Sequence, residues 1–168
     1  MGTRRILCLL VLISILLPAA PGYSQSPAQD AAGETLAGIT YGDDMLKVVS
    51  VLGEPGKRSR SLRPMYDNLY HDYFSYPSKG IEVEFAEKKA IRIELTAPGM
   101  GTTARGVRIG DPESMVRKHY IIRDGLGREV RKLRAGELVF CGDPYRGLAF
   151  VFDGRGRLKK IGLGKFSE

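Results

Sequence analysis

The chain has no tryptophan, two cysteines and two histidines in 168 residues. Each scarcity closes off a class of function. His71 and His119 are far apart, and neither belongs to a His-x-x-x-His or Cys-x-x-Cys spacing, so no metal site is legible. Cys8 lies in an N-terminal apolar run, which leaves Cys141 without an intramolecular partner once that run is removed. There is no nucleophile-elbow serine, and Gly154-Arg155-Gly156 lacks the length and the helix of a phosphate loop. No carboxylate pair sits in a setting that would split its pKa values. Asp72, beside His71, reads as a polar residue on a strand face rather than a base, and nothing local supports a Cys141–His119 dyad. The expectation is a protein with no catalytic residues and no cofactor, and hence not an enzyme.

What is present begins with a leader. Arg4 and Arg5 precede an apolar run over 6–17, followed by Pro18 and small residues. This is the layout of a secretory signal peptide over 1–24, with cleavage after Gly22 or Ser24. The apolar run is too short to span a bilayer as a helix. Cys8 lacks the small residues that precede a lipoprotein acylation site. Removal of 1–24 leaves 24 basic side chains against 19 acids, a net charge of +5. Residues 25–37 have little apolar content and read as a flexible leader. Cys141, in an apolar strand-like stretch, reads as a small buried hydrophobe.

The remainder is written twice. Gly38, Gly42, Asp43 and Val48 recur 68 residues later as Gly106, Gly110, Asp111 and Val116. Gly80-Ile81-Glu82-Val83-Glu84-Phe85 is echoed by Gly147-Leu148-Ala149-Phe150-Val151-Phe152, and Ile93-Glu94-Leu95 by Ile161-Gly162-Leu163. The spacing predicts an α+β fold of two tandem repeats, each a short helix packed on an antiparallel sheet. The first repeat spans 38–97, a Gly/Pro/Thr linker spans 98–105, and the second repeat spans 106–168.

Within each repeat, Asp43 and Asp111 stand where helix N-caps belong, with helices expected over 43–52 and 111–121. Gly53, with Pro55 behind it, reads as the stop of the first helix. Residues 54–64 lack periodicity and read as a loop. The aromatic stretch 66–76 reads as a strand with His71 and Tyr73 on the face opposite Tyr70, Phe74 and Tyr76. Ile81, Val83 and Phe85 alternate with Glu82 and Glu84, which predicts a strand with its acids outward. Ile91, Ile93 and Leu95 continue the hairpin, with Phe85 expected opposite Ile91 around an odd loop at Glu87-Lys88-Lys89. That register sets Glu84 against Arg92. Two short strands are expected over 129–134 and 137–141. A last hairpin then sets Phe150 opposite Ile161 and Leu148 opposite Leu163 around an even loop. Ala149 and Val151 replace the acids of the first copy, so that strand is expected to be covered on both faces.

The Gly-apolar-x-x-Gly-Asp entry, the short helix ending near Gly-x-Pro and the hairpin ending in Ile-x-Leu resemble the α+β module of the BamE/SmpA/OmlA outer-membrane lipoproteins. Two such modules in tandem resemble the β-lactamase inhibitor proteins. The resemblance covers roughly 38–97 and 106–164, and implies an extracytoplasmic interaction module. The chain departs from the lipoproteins in lacking the acylation cysteine, and from the inhibitors in lacking their paired cysteines.

Seven residues are candidates for a binding surface: Tyr70 and Tyr73 from the aromatic strand, and Arg117, Arg128, Arg131, Lys132 and Arg134 from a basic stretch suited to carboxylates or phosphates. Nucleic acid is not expected, because no recognition helix or stacking motif accompanies the charge. The expected function is that of a periplasmic or secreted interaction module with no transmembrane helix after signal cleavage. Its partner would be another envelope or secreted protein or an anionic envelope component. The rival readings are an inhibitor of a secreted hydrolase and an enzyme using Cys141 or His71 in a cleft between the repeats.

Overall fold

Alternation of apolar and polar residues builds most of one seven-stranded antiparallel sheet. The structure is a computed structural model and describes residues 33–63, 67–96, 100–143 and 145–166; the expected signal peptide and residues 25–32 of the expected leader lie outside them. Helix α1 (Met45–Leu52) is followed by β1 (Lys57–Leu62), β2 (Tyr70–Tyr76), β3 (Ile81–Ala86) and β4 (Lys89–Leu95). Helix α2 (Glu113–His119) then precedes β5 (Leu138–Cys141), β6 (Leu148–Phe152) and β7 (Leu158–Gly164). The strand order is β1-β2-β3-β4-β7-β6-β5, so the two halves of the chain meet where β4 pairs with β7. The fold is α+β.

One face of the sheet carries Phe74, Tyr76, Ile81, Val83, Phe85, Ile93, Leu95, Phe150, Ile161 and Leu163, all buried. Val48 and Leu52 of α1 and Val116 of α2 join these in a single core. Met45, Val48, Val49 and Leu52 of α1 form one stripe that turns inward, while Leu46 and Val51 lie outside it and are exposed. Gly53 ends the helix as expected: at φ 79° its N–H donates to the Val49 carbonyl.

Both hairpins carry a bulge at a matching place. Val83 faces Ile93 and Ile81 faces Leu95 as expected, and Glu84 faces Arg92. Phe85, however, lies opposite Ala90 rather than Ile91, because Ile91 is an extra residue on β4. The loop is therefore the even pair Glu87-Lys88, both at positive φ. Phe150 faces Ile161 and Leu148 faces Leu163 as expected, but Phe152 lies opposite Leu158, with Lys159 as the extra residue. The intervening 153–157 is odd, not even. The bulged strands answer to the helix entries. Gly42 N–H donates to the Ala90 carbonyl (2.7 Å) and Ala90 N–H to the Asp43 carbonyl (2.8 Å). Gly110 and Leu158, then Leu158 and Asp111, repeat the pair at 2.7 and 2.8 Å.

The remaining expectations shift in place or fail. Asp44, not Asp43, caps α1, its Oδ1 accepting from Lys47 N–H at 2.8 Å. Asp43 accepts from Thr40 N–H at 2.9 Å and Asp111 from Arg108 N–H at 3.0 Å, each closing the turn before its helix. Pro112 holds the cap position of α2 without a side-chain bond. The stretch 54–64 is not all loop, since it contains β1, exposed at every position. Residues 129–134 form no strand, only a bridge from Glu129 to Arg123. The end of the presumed leader is packed: Glu34 and Leu36 are buried, and Leu36 bridges Thr103 of the presumed linker, itself 2% exposed. Glu84 does not point into water; it is buried.

Candidate functional site

Two arrangements of chemically active side chains stand out, one around a buried histidine and one an open cleft. The first gathers on the sheet face away from the helices. His71 and Tyr73 leave β2 on that face, and the register brings Tyr73 opposite Glu84 of β3 and Glu84 opposite Arg92 of β4. His71 is 0% exposed. Its Nδ1 lies 2.7 Å from Glu84 Oε1 and its Nε2 2.9 Å from Asp67 Oδ2. Each ring nitrogen therefore lies against a carboxylate oxygen. Tyr73 Oη donates to the same Glu84 oxygen at 2.8 Å and accepts from Arg63 Nε at 2.7 Å. Arg92 Nη2 reaches the other Glu84 oxygen at 2.8 Å. Burial alone would raise the Glu84 carboxyl; the hydrogen bond from His71, the Arg92 charge, the Tyr73 hydroxyl and Arg63 together hold it below the usual carboxylate value.

This cluster has the composition of an acid–base site, but its histidine has no access. The His71 ring is enclosed with both nitrogens occupied, whereas Glu84, Arg63 and Arg92 border a cavity of 270 Å³ on that face. Cys141 is likewise buried, and desolvation pushes its thiol up, which suppresses the reactive thiolate. Among the described residues, no group of three or more His, Cys, Asp or Glu is placed to hold a metal ion. No helix among them is long and apolar enough to cross a membrane.

The open arrangement lies at the β1 edge, on the helix side of the sheet. An open cleft of 690 Å³ runs between α1, the β3–β4 turn and strands β1 and β2; its lining includes Met45, Arg58, Arg60, Tyr70, Phe74 and Lys88. A second depression of 490 Å³ shares Met45, Arg58, Phe74 and Lys88 with it and adds Leu46 and Val49 of α1. Leu46 is 83% exposed and Tyr70 56%. Leu62 and Leu69 are also exposed, so apolar surface continues along the edge. The basic groups are held over aromatic rings: Arg58 Cζ lies 4.7 Å from the Phe74 centroid and Arg60 Cζ 5.0 Å from that of Tyr70. Arg58 also meets Glu54 at 2.6 Å, and Arg60 meets Asp72 at 3.6 Å.

The seven candidate surface residues do not form one surface. Tyr70 lines the cleft, whereas Tyr73 points to the opposite face and is engaged by Arg63 and Glu84. Arg117 pairs with Glu113 on α2 at 2.6 Å, and Arg128 with Asp124 at 2.8 Å. Arg131, Lys132 and Arg134 are exposed in the segment leading to β5, at the other end of the strand order from Tyr70. Sequence reasoning missed Arg58, Arg60 and Leu62 because an edge strand exposed on both faces has no apolar alternation. It missed Glu84 by taking the second sheet face to be open water. The usable signal was its cross-strand partner Arg92.

No protein-family model matches the chain, and no curated protein matches it. A solved structure from Staphylococcus aureus subsp. aureus Mu50, described as a cysteine-rich secretory protein, is similar in fold, with a TM-score of 0.52 and 14% identity. The match covers 78% of this chain and 45% of that one, so the chain spans less than half the length of its structural neighbour.

Proposed function

We propose that the protein is an exported, non-enzymatic interaction module of two tandem α+β repeats, which binds another protein at the cell envelope through the cleft between α1 and the β1–β2 edge. The observation that carries the reading is the exposure of Leu69 and Tyr70 in the cleft lining beside Arg58 and Arg60, with exposed Leu62 opposite Tyr70 on β1 and exposed Leu46 in the adjoining depression. Exposed apolar patches rimmed by polar residues mark interaction sites. The enclosure of His71 and the buried thiol of Cys141 favour binding over catalysis. Duplication is supported by the paired backbone bonds at Gly42–Ala90–Asp43 and Gly110–Leu158–Asp111, and by the bulges at Ile91 and Lys159. Export is supported by the basic and apolar N-terminal pattern, and accords with a structural neighbour described as secretory. The BamE-like and inhibitor-like resemblance points the same way, as analogy.

The test is a crosslinking pull-down from envelope fractions with tagged protein, repeated with Leu69→Ala/Tyr70→Ala. A partner enriched by the native protein and lost with the variant is the expected result. No enriched partner ends the interaction reading, and equal recovery by the variant moves the contact away from the cleft.

A further inference from the structure

The two edges of the sheet are not alike. The outer edge of β5 is partly closed, because Arg123 exchanges both backbone bonds with Phe140, at 2.7 and 2.8 Å. Beyond β1, among the described residues, no strand or bridge is paired. The phase of the β1–β2 ladder says which groups are left open. Arg63 N–H donates to the Leu69 carbonyl at 2.9 Å, which makes 63 and 69 a hydrogen-bonded pair. Such pairs alternate along an antiparallel ladder, so 57, 59 and 61 turn their backbone groups to β2. Arg58, Arg60 and Leu62 therefore turn theirs outward. The side chains of those same residues lie on the cleft side, as the Arg58–Phe74 and Arg60–Tyr70 stacking shows.

We infer that β1 is a docking edge for an extended, acidic peptide segment of a partner protein, which adds to the sheet as an eighth strand with its alternate side chains entering the cleft. The inference rests on the interaction-module reading above and names the partner's form. Backbone bonds to Arg58, Arg60 and Leu62 supply the affinity of strand addition, and side-chain pockets supply its selectivity. An apolar residue of the incoming strand meets the surface of Tyr70 and Leu62, and an acidic one competes with the exposed Glu54 for Arg58 and with Asp72, at 3.6 Å, for Arg60. On the other face Ser59 and Ser61 are small, and Lys57 adds a further positive charge. A second copy of this chain is disfavoured as the occupant, because edge-to-edge pairing would bring basic strand against basic strand. Charged edges serve in many proteins only to repel other strands. Here the exposed Leu62, Leu69 and Tyr70 beside the edge are what a purely protective edge would omit.

The test uses purified protein and a blocked peptide of about ten residues alternating glutamate and valine, a pattern suited to strand addition. Calorimetric titration is paired with amide hydrogen exchange. Three comparisons isolate the mechanism: the same peptide N-methylated on alternate residues, its lysine–valine counterpart, and the Leu62→Pro variant. Proline is tolerated on edge strands where the N–H points outward; because the change also removes the Leu62 side chain, Leu62→Ala is run beside it and should bind more tightly than Leu62→Pro. The expected result is saturable binding that protects the Arg58, Arg60 and Leu62 amides. Binding should weaken about tenfold or more for each comparison, the loss of one or two well-made bonds. Equal binding of the lysine peptide, equal binding of the N-methylated peptide, or no binding of the acidic peptide each overturns the inference. So does self-association that Leu62→Pro abolishes, which would make a second copy the occupant. If the proline variant fails to fold, the N-methylated peptide decides alone. A partner captured equally by native protein and Leu62→Pro, but lost with Leu69→Ala/Tyr70→Ala, leaves the module reading standing and ends strand addition.

Discussion

Nδ1 of His71 and Oε1 of Glu84 meet at 2.7 Å, with the two side chains only 1% and 7% exposed. That relationship makes Glu84 a buried charge with every partner in place, and it sets an acid limit on the fold. The folded carboxyl titrates below its unfolded value, so its contribution is fully present above about pH 4.3 and is lost as pH falls through the lower folded value. Glu84→Gln should cost about 1–3 kcal/mol near neutrality, because it removes a charged acceptor from His71, Tyr73 and Arg92. In urea melts from pH 6 to pH 2 the gap between native and variant should close with acid. A gap of constant size would show that Glu84 is not an ionised anchor.

The aspartates before α1 have separate tasks. Asp44→Ala should cost about 1 kcal/mol through the lost cap and fray the first turn. Asp43→Ala should cost a similar amount without fraying the helix, because it frees Thr40 N–H in the preceding turn. Residue-level hydrogen exchange separates the two. Identical exchange changes at Lys47 in both variants would refute the division.

Gly162 and Gly164 of β7 are tight for different reasons. A methyl at 162 overlaps the ring of Phe166, whereas a methyl at 164, where φ is 112°, meets the Ile91 carbonyl. A ring at the end of a side chain can swing away; a backbone carbonyl in a sheet cannot. Gly162→Ala should cost under about 1 kcal/mol and Gly164→Ala about 2–3 kcal/mol. In a Phe166→Ala background the cost at 162 should vanish. Persistence of that cost would place the obstruction in the strand itself.

Tyr120 sets an alkaline limit. Its hydroxyl donates to Glu34 at 3.2 Å and accepts from the Thr103 hydroxyl at 2.8 Å, and desolvation leads in pushing its pKa up to about 12. The folded state therefore keeps a proton that the unfolded chain loses near pH 10. Stability from this group is intact below about pH 10 and drains away as pH rises toward the folded value. Tyr120→Phe should flatten the alkaline fall in melting temperature between pH 9 and pH 11. An unchanged slope would assign the fall to other groups.

Cys141 should react slowly. The residue is 5% exposed and burial raises its thiol pKa, so a thiol reagent should label the native protein far more slowly than the urea-unfolded chain. Equal rates would place the thiol at the surface.

Where one face of a strand is packed and the other wet, the pattern is written in the residues. Ile81-Glu82-Val83 and Phe150-Val151-Phe152 could be read as strands, and Val83–Ile93 and Phe150–Ile161 as cross-strand pairs. Tyr70 could be named as a surface residue. The bulges at Ile91 and Lys159 could not, because they follow from backbone bonds to the helix entries rather than from side-chain pattern. β1 was illegible because Lys-Arg-Ser-Arg-Ser-Leu has no apolar face; it is a strand because β2 offers it a ladder. Leu36 alone among polar neighbours carried too little signal to reveal that the chain before Gly38 enters the core.

The pairing of β4 with β7 has a consequence for the order of events during synthesis. β4 is complete at Leu95, but the strand that covers its flank does not begin until Leu158. At about 5–20 residues per second, that flank stays bare for several seconds while the intervening chain is made. During that interval the first half is a half-finished sheet with two raw sides, β1 and β4. The hazard of wrong pairing at the β4 flank therefore falls while the chain is being made, and ends when its last strand slides into the middle of the sheet.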